Sequence, residues 1–368
     1  MAEAGVDAYF GVRREHMRYL TGFTLADGEE KVAGNSGQFV VGGADVTVLV
    51  DSRYSIQARR EAPDARIFEA YNDLPTRWPA LVASVGARRV AVEAGFVSHA
   101  VWERLAVAAP DVELVPIEGW LETDRAVKEP AEIERIASAC VVADRALAAL
   151  LPEIRPGVTE AALALRLEWL MRTGGAEALA FDVACLSGPE AALPHGAPGD
   201  RPVRDGAVLL FDFGAQVCGY RSDMTRTLFV GEPTPRDLDI HALVSHAQAA
   251  AIAALEAAVA RLGAQPALPS GRTIDGIARD VIAAAGHGPH FGHGTGHGIG
   301  LATHEQPSLR PLASDEPLPS PTVFSVEPGV YLEGEMGVRI EDLIVLDATA
   351  RRVERLTLFP REVIVVGA

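Results

Sequence analysis

The sequence predicts an α/β (α+β) protein in two parts: an N-terminal α/β layer over residues 1–125 and a larger, pseudo-symmetric domain over 126–368. Three observations carry this expectation. Short β-like runs alternate with helical stretches through the first 120 residues, the pattern of a mostly parallel sheet covered by helices. A charged segment, WLETDRAVKEP, then ends at Pro130 and separates this layer from the rest of the chain. Beyond it, RPGVTEAALALRLEWLMRTGG resembles LPSGRTIDGIARDVIAAAG, about 114 residues later.

In the first part, FVVGG and VTVLVD are strand-like, YSIQARREA and SHAVWERLAVAA have helical spacing, and ARRVAVEAG and VELVPI are again strands. Pro130 suits the first position of a helix, here AEIERIASACVVADRALAALL, because that position has no intrahelical use for an N–H. Each of the two similar segments places a Gly and a Thr just before an acidic residue and an amphipathic helix. A long Ala-rich helix precedes each, over 131–151 and roughly 236–260, and a segment opening on Phe181 or Phe291 comes after. Two related halves imply a crevice between them.

Composition narrows the partners. With 33 basic and 50 acidic residues the net charge is −17, which opposes a nucleic-acid or anionic-membrane partner. No apolar run reaches the ~20 residues of a membrane span. The N-terminus, MAEAGVDAYFGVRREH, lacks the charged-then-apolar order of a secretory signal. Cys140, Cys185 and Cys218 cannot all pair, and none lies in a CxxC, so reduced thiols in a cytoplasmic protein are expected.

Five residues read as one site: Asp212, Asp223, His297, Glu327 and Glu341. Four are carboxylates set in apolar or Gly-rich segments, LLFDFGAQ, GYRSDMTRT, FSVEPGVY and VRIEDLIV. A buried carboxylate stays ionised only beside a cation. Four of them with an imidazole ask for more positive charge than one side chain supplies, and two divalent ions would provide it. The 11 residues from Asp212 to Asp223 suit a hairpin whose adjacent strands project both carboxylates into one pocket. Five glycines from Gly292 to Gly300 exclude an ordinary helix for FGHGTGHGIG and permit close backbone approach. A structural ion pair with Arg339 is the alternative use for Glu341.

The order Asp, Asp, His, Glu, Glu in these contexts resembles the pita-bread metallopeptidases, within them the proline-specific branch of prolidase and aminopeptidase P. ALPHGAPGDR, LLFDFGAQVCGYRSDMTRTLFVG, HGTGHGIGLATHEQP, FSVEPGVY and VRIEDLIVL carry the resemblance. MRYLTGF and VDSRYSIQA extend it to a creatinase-like N-terminal domain. The resemblance implies that Asp212, Asp223, His297, Glu327 and Glu341 bind two divalent ions, Mn²⁺ before Zn²⁺ or Co²⁺, with Asp223 and Glu341 bridging. It implies catalytic roles for Glu327, His293 and His304, and substrate contacts for His195 and Arg339. The implied activity is cleavage of the bond between an N-terminal residue and proline, in dipeptides or, by the aminopeptidase P alternative, in longer peptides. The implied state is a homodimer. One departure is an insert of roughly ten residues over 25–34, whose Asp27, Glu29 and Glu30 could meet a substrate amine.

Overall fold

Strands near the N-terminus are apolar at consecutive rather than alternate positions because helices cover both faces of their sheet. The computed structural model describes residues 1–25, 36–43, 45–71, 73–263 and 268–367. These divide into two units, Met1–Leu121 and Glu122–Ala368. In the first, β1 (Ala8–Gly11), β2 (Phe39–Gly42), β3 (Asp45–Val50), β4 (Arg66–Glu69), β5 (Arg89–Glu93) and β6 (Glu113–Ile117) form one sheet in the order β4-β3-β2-β1-β5-β6. Its helices are α1 (Arg14–Thr21), α2 (Ser55–Glu61), α3 (Leu74–Ser84) and α4 (His99–Ala108). Phe10, Leu49, Val90 and Val92 pack with Trp78 of α3 and Leu105 of α4. Tyr9, Val48, Val50 and Ala91, one position out of step, pack with Met17 of α1 and Ala58 of α2. The sheet is mostly parallel, as expected, with the single strand β2 reversed. The β3–β4, β1–β5 and β5–β6 pairs are parallel, while β2 runs antiparallel to both β1 and β3. Its link to β3 is too short for anything but a hairpin, and Gly43 takes φ +63° there.

Two helix pairs organise the second unit. After α5 (Trp120–Ala126), α6 (Pro130–Leu150) starts at Pro130 as expected, with Glu129 and Glu132 forming a capping box. It pairs with α7 (Glu160–Thr173), and α8 (Pro235–Ala260) pairs with α9 (Gly271–Ala284). The pseudo-symmetry is present, but its register differs from the Gly/Thr match that suggested it. Thr159 caps α7 and Ser270 caps α9, each accepting from the amide three residues on. Each also bridges to a proline, Pro202 or Pro317. Thr159 therefore corresponds to Ser270, not Thr273. A hydroxyl that satisfies a free helix N–H defines the start of the helix, and a shared Gly-x-Thr does not.

The strands are β7 (Ala178–Leu179), β8 (Ala184–Ser187), β9 (Val208–Phe213), β10 (Ala215–Val217), β11 (Tyr220–Arg221) and β12 (Met224–Val230) in the first half. In the second half are β13 (Gly296–Gly298), β14 (Glu305–Leu309), β15 (Thr322–Val326), β16 (Gly329–Leu332), β17 (Met336–Arg339), β18 (Asp342–Asp347), β19 (Arg352–Arg355) and β20 (Val365–Val366). The larger sheets run β20-β12-β9-β8 and β14-β13-β15-β18-β19. Leu147 and Leu167 of the first helix pair pack on Phe211 and Phe213. Val244 and Ile274 of the second pack on Phe324 and Ile344. By length and composition α8 could cross a membrane, contrary to the expectation of no such run, yet its Ile240, Val244, Ala251 and Leu255 belong to this core. Residues 26–35, with Asp27, Glu29 and Glu30 of the expected insert, lie outside the described residues.

Each helix pair is tied to the strands by a buried acid. Glu160 accepts from the Ser187 amide and hydroxyl, both at 2.8 Å, and Asp275 accepts from the Thr295 amide and hydroxyl, both at 2.9 Å. Asp275 also pairs with Arg279 at 3.0 Å. Replacing Asp275 with Ala leaves two buried donors without acceptors, so stability should fall by about 2–6 kcal/mol in a urea titration, at roughly 1–3 kcal/mol per donor. A loss below ~1 kcal/mol would show that Thr295 is held by something else.

Candidate metal centre

The pseudo-symmetry brings four acids to the ends of two antiparallel strand pairs. Asp212 lies near the end of β9, opposite Thr225, and Asp223 immediately precedes β12. Glu327 immediately follows β15, and Glu341 immediately precedes β18. The Asp212–Asp223 spacing does span a hairpin, with a smaller one set inside it. β10 and β11 are joined at Cys218 and Gly219, whose φ values of 51° and 83° suit a tight two-residue turn.

His297 is the middle residue of β13, between β14 and β15. A Cβ at Gly296 would stand 1.9 Å from the Ser325 carbonyl oxygen, and one at Gly298 2.1 Å from that of Gln306. The glycines that excluded a helix thus let three strands close around one imidazole. His297 Nδ1 donates to the Gly298 carbonyl at 3.0 Å, which leaves the Nε2 lone pair facing Asp223 Oδ2 at 3.7 Å and Glu327 Oε1 at 3.3 Å. Burial holds this imidazole below the ordinary histidine pKa, so it is neutral at pH 7, as a ligand must be.

Asp223, His297 and Glu341 each offer one ligand atom, and these atoms lie within 4.8 Å of one another. The carboxyls of Asp223 and Glu341 are raised well above their usual range, first by burial and then by neighbouring carboxylates. Glu341 Oε2 accepts from Thr225 Oγ1 at 2.7 Å, but its buried Oε1 has no hydrogen-bond donor. Such an oxygen, among four carboxylates with Arg339 as their neighbouring cation, fits a bound cation and little else. Hard oxygen donors with one imidazole suit divalent ions such as Mn²⁺ or Zn²⁺.

Asp342 shows the contrast. One residue from Glu341 and on the opposite face of the strand, it is answered by Arg226 at 2.7 Å, Thr357 at 2.6 Å and Gln248 at 3.0 Å. The ion pair considered for Glu341 forms elsewhere, since Arg339 contacts Asp212. Arg339 is buried, with Nε donating to Thr225 Oγ1 and Nη1 to Tyr331 Oη, both at 2.8 Å. It braces the carboxylate cluster, which differs from the open guanidinium fork expected for a substrate carboxylate.

Tyr331 was not anticipated. Its hydroxyl joins Arg339 to His293 Nε2 at 2.8 Å, and His293 Nδ1 meets the Gly294 carbonyl at 2.8 Å, so both nitrogens of that ring are engaged. Burial raises the phenol to about 12. Ser325, also missed, donates to Glu327 Oε1 and accepts from the His297 amide, both at 3.0 Å. His304 lies against His297 with ring centroids 4.2 Å apart, and burial lowers its pKa. His195 occupies an exposed turn within electrostatic reach of His304.

Comparison with known proteins extends over both units. Residues 134–348 match metallopeptidase family M24, and residues 1–127 match the creatinase/prolidase N-terminal domain. The chain is 30% identical to a Xaa-Pro dipeptidase of Pyrococcus furiosus, over 99% of its own length and 97% of that protein's. It is 34% identical to an uncharacterized peptidase of Bacillus subtilis, at the same coverage of each chain. Among solved structures, an X-Pro aminopeptidase from Thermotoga maritima superimposes with a TM-score of 0.86 at 35% identity, covering 99% of this chain and 97% of that one. The prolidase of Pyrococcus horikoshii gives 0.86 at 30% identity and the same coverage. An acid-lined cluster fit for divalent ions and a match across most of the second unit lead to one conclusion: the chain belongs to metallopeptidase family M24, with a creatinase/prolidase N-terminal domain.

Proposed function

We propose that this peptidase hydrolyses the bond between an N-terminal residue and proline, with Xaa-Pro dipeptides as its substrates. The observation that carries the reading is the buried Asp223–His297–Glu341 cluster, whose Glu341 Oε1 lacks a donor. Relatives called Xaa-Pro dipeptidase over nearly their full length supply the substrate class. Asp212, Asp223, His297, Glu327 and Glu341 would hold two divalent ions, Mn²⁺ for preference, with Asp223 and Glu341 shared between them. Bound there, the ions would supply Lewis-acid activation of water near neutral pH.

The side chains divide the remaining work. Glu327 accepts the attacking water's proton and returns it to the leaving nitrogen. Ser325 and the β15 terminus hold that carboxylate beside His297. His304 donates to the developing oxyanion, and His293, held through Tyr331 and Arg339, supports it. A prolyl leaving nitrogen has no N–H before cleavage, so its pocket needs shape and apolar contact more than acceptors. His195 contacts the substrate from its exposed turn. The reading extends to a cytoplasmic homodimer; the net charge of −17 supports a small peptide over nucleic acid or an anionic membrane.

Chelation with EDTA should abolish cleavage of a Xaa-Pro dipeptide, and Mn²⁺ should restore it; full activity in a metal-depleted sample would sink the reading. His297→Ala should lose metal, whereas His293→Ala should keep it and lose roughly 10²-fold in turnover. Metal analysis beside kinetics checks this, and the reverse pattern would exchange the two roles. Turnover of Xaa-Pro should exceed that of Xaa-Pro-Xaa peptides at equal concentration. A preference for the tripeptide would instead favour an aminopeptidase P activity.

A further inference from the structure

Glu305 follows His304 directly and carries a buried negative charge that the proposed chemistry does not use. Lys128 Nζ lies 2.9 Å from Oε2, and the Arg125 guanidinium contacts Oε1. Oε1 also accepts from the Ala302 amide at 2.7 Å. All three charged side chains are at most 5% exposed. The cations are themselves fixed. Lys128 Nζ donates to the Arg125 carbonyl, and the Lys128 amide donates to the Pro321 carbonyl at 2.7 Å. A Cβ at Gly300 would lie 2.9 Å from the Glu305 carboxylate and 3.1 Å from Lys128 Nζ, so the cluster packs against the start of the loop over 300–305.

The same loop is fastened on a second side. The Arg221 amide donates to the Gly300 carbonyl at 2.9 Å. Arg221 Nη1 donates to Thr303 Oγ1 at 3.0 Å, and that hydroxyl donates to the Ala180 carbonyl at 3.1 Å. His304 stands in this loop with its ring against His297. Buried ion clusters are a poor means of adding stability, because apolar residues of similar volume often do as well or better. What directional charge pairs do provide is one defined geometry.

We propose that Glu305 is a positioning residue: gripped by Arg125 and Lys128, it fixes the 300–305 loop so that the His304 imidazole keeps its place beside His297. This rests on the oxyanion role given to His304. The test is a double-mutant cycle on the metal-loaded enzyme with a Xaa-Pro dipeptide, recording kcat, KM, metal content and thermal midpoint. The proteins are wild type, His304→Ala, Glu305→Gln and the variant carrying both. A residue that acts through His304 has nothing to add once that ring is gone. Glu305→Gln alone should therefore lower kcat by at least about tenfold, the scale of a small misplacement, with KM and metal content nearly unchanged. In the His304→Ala background it should have no further effect. Wild-type kcat in Glu305→Gln, or losses that multiply across the cycle, would overturn the proposal while leaving the role of His304 intact. Wild-type kcat in His304→Ala would overturn both. If Glu305→Gln does not fold, Glu305→Gln with Lys128→Met removes one charge of each sign and enters the same cycle, with the same outcomes deciding.

Discussion

Four carboxylates drawn into one cluster, two of them buried and two partly buried, with Arg339 as the neighbouring cation, is the constraint around which the second unit is built. If all four are ionised, three negative charges stand uncompensated, which no apolar interior tolerates without bound cations. The surroundings reduce this cost without removing it. Thr225 donates to Glu341 and Ser325 to Glu327, while Arg339 pairs with Asp212. Each takes one oxygen of a carboxylate, and at Glu341 the other, Oε1, is left buried with no donor. Arg226 supports the arrangement from behind, donating to the Glu341 carbonyl at 2.5 Å and to Asp342.

The fold meets this constraint through repetition. A strand pair in each half presents two acids where it ends, so four charges converge without a long loop having to carry any of them. The imidazole arrives differently, from a strand so pinched that its neighbours must be glycine. Buried acids on α7 and α9 then lock each helix pair to the strands leading into the site. Local order at the centre is therefore inherited from the hydrogen bonds of the whole unit.

Much of this could be read from residues alone, and the reason is chemical. A carboxylate inside VLLFDF or FSVEP contradicts its surroundings, so Asp212 and Glu327 announce themselves. Glu341 was named ahead of Asp342 although both share one apolar run; strand alternation and the Arg226 partner supply the physical distinction. Tyr331, Thr225 and Ser325 were illegible because a hydroxyl in a strand is ordinary, and its importance lies in what stands across from it. Arg339 was visible but its pairing with Asp212 and Tyr331 was not, since no sequence pattern tells which groups a guanidinium will face. The repeat was legible as architecture and wrong in register, because a cap is defined by the amide it satisfies rather than by the residues that flank it.

The division of the site between two halves also sets an order of assembly during synthesis. Asp212 leaves the ribosome 129 residues ahead of Glu341. At about 5–20 residues per second, that is roughly 6–26 seconds. The first pair of acids stands without His297, Glu327 and Glu341 until each of these emerges in turn. Arg226 likewise waits for the carbonyls of Phe359 and Pro360, and β12 waits for β20. A nascent chain can therefore present half of the cluster but cannot close it until Glu341 has emerged.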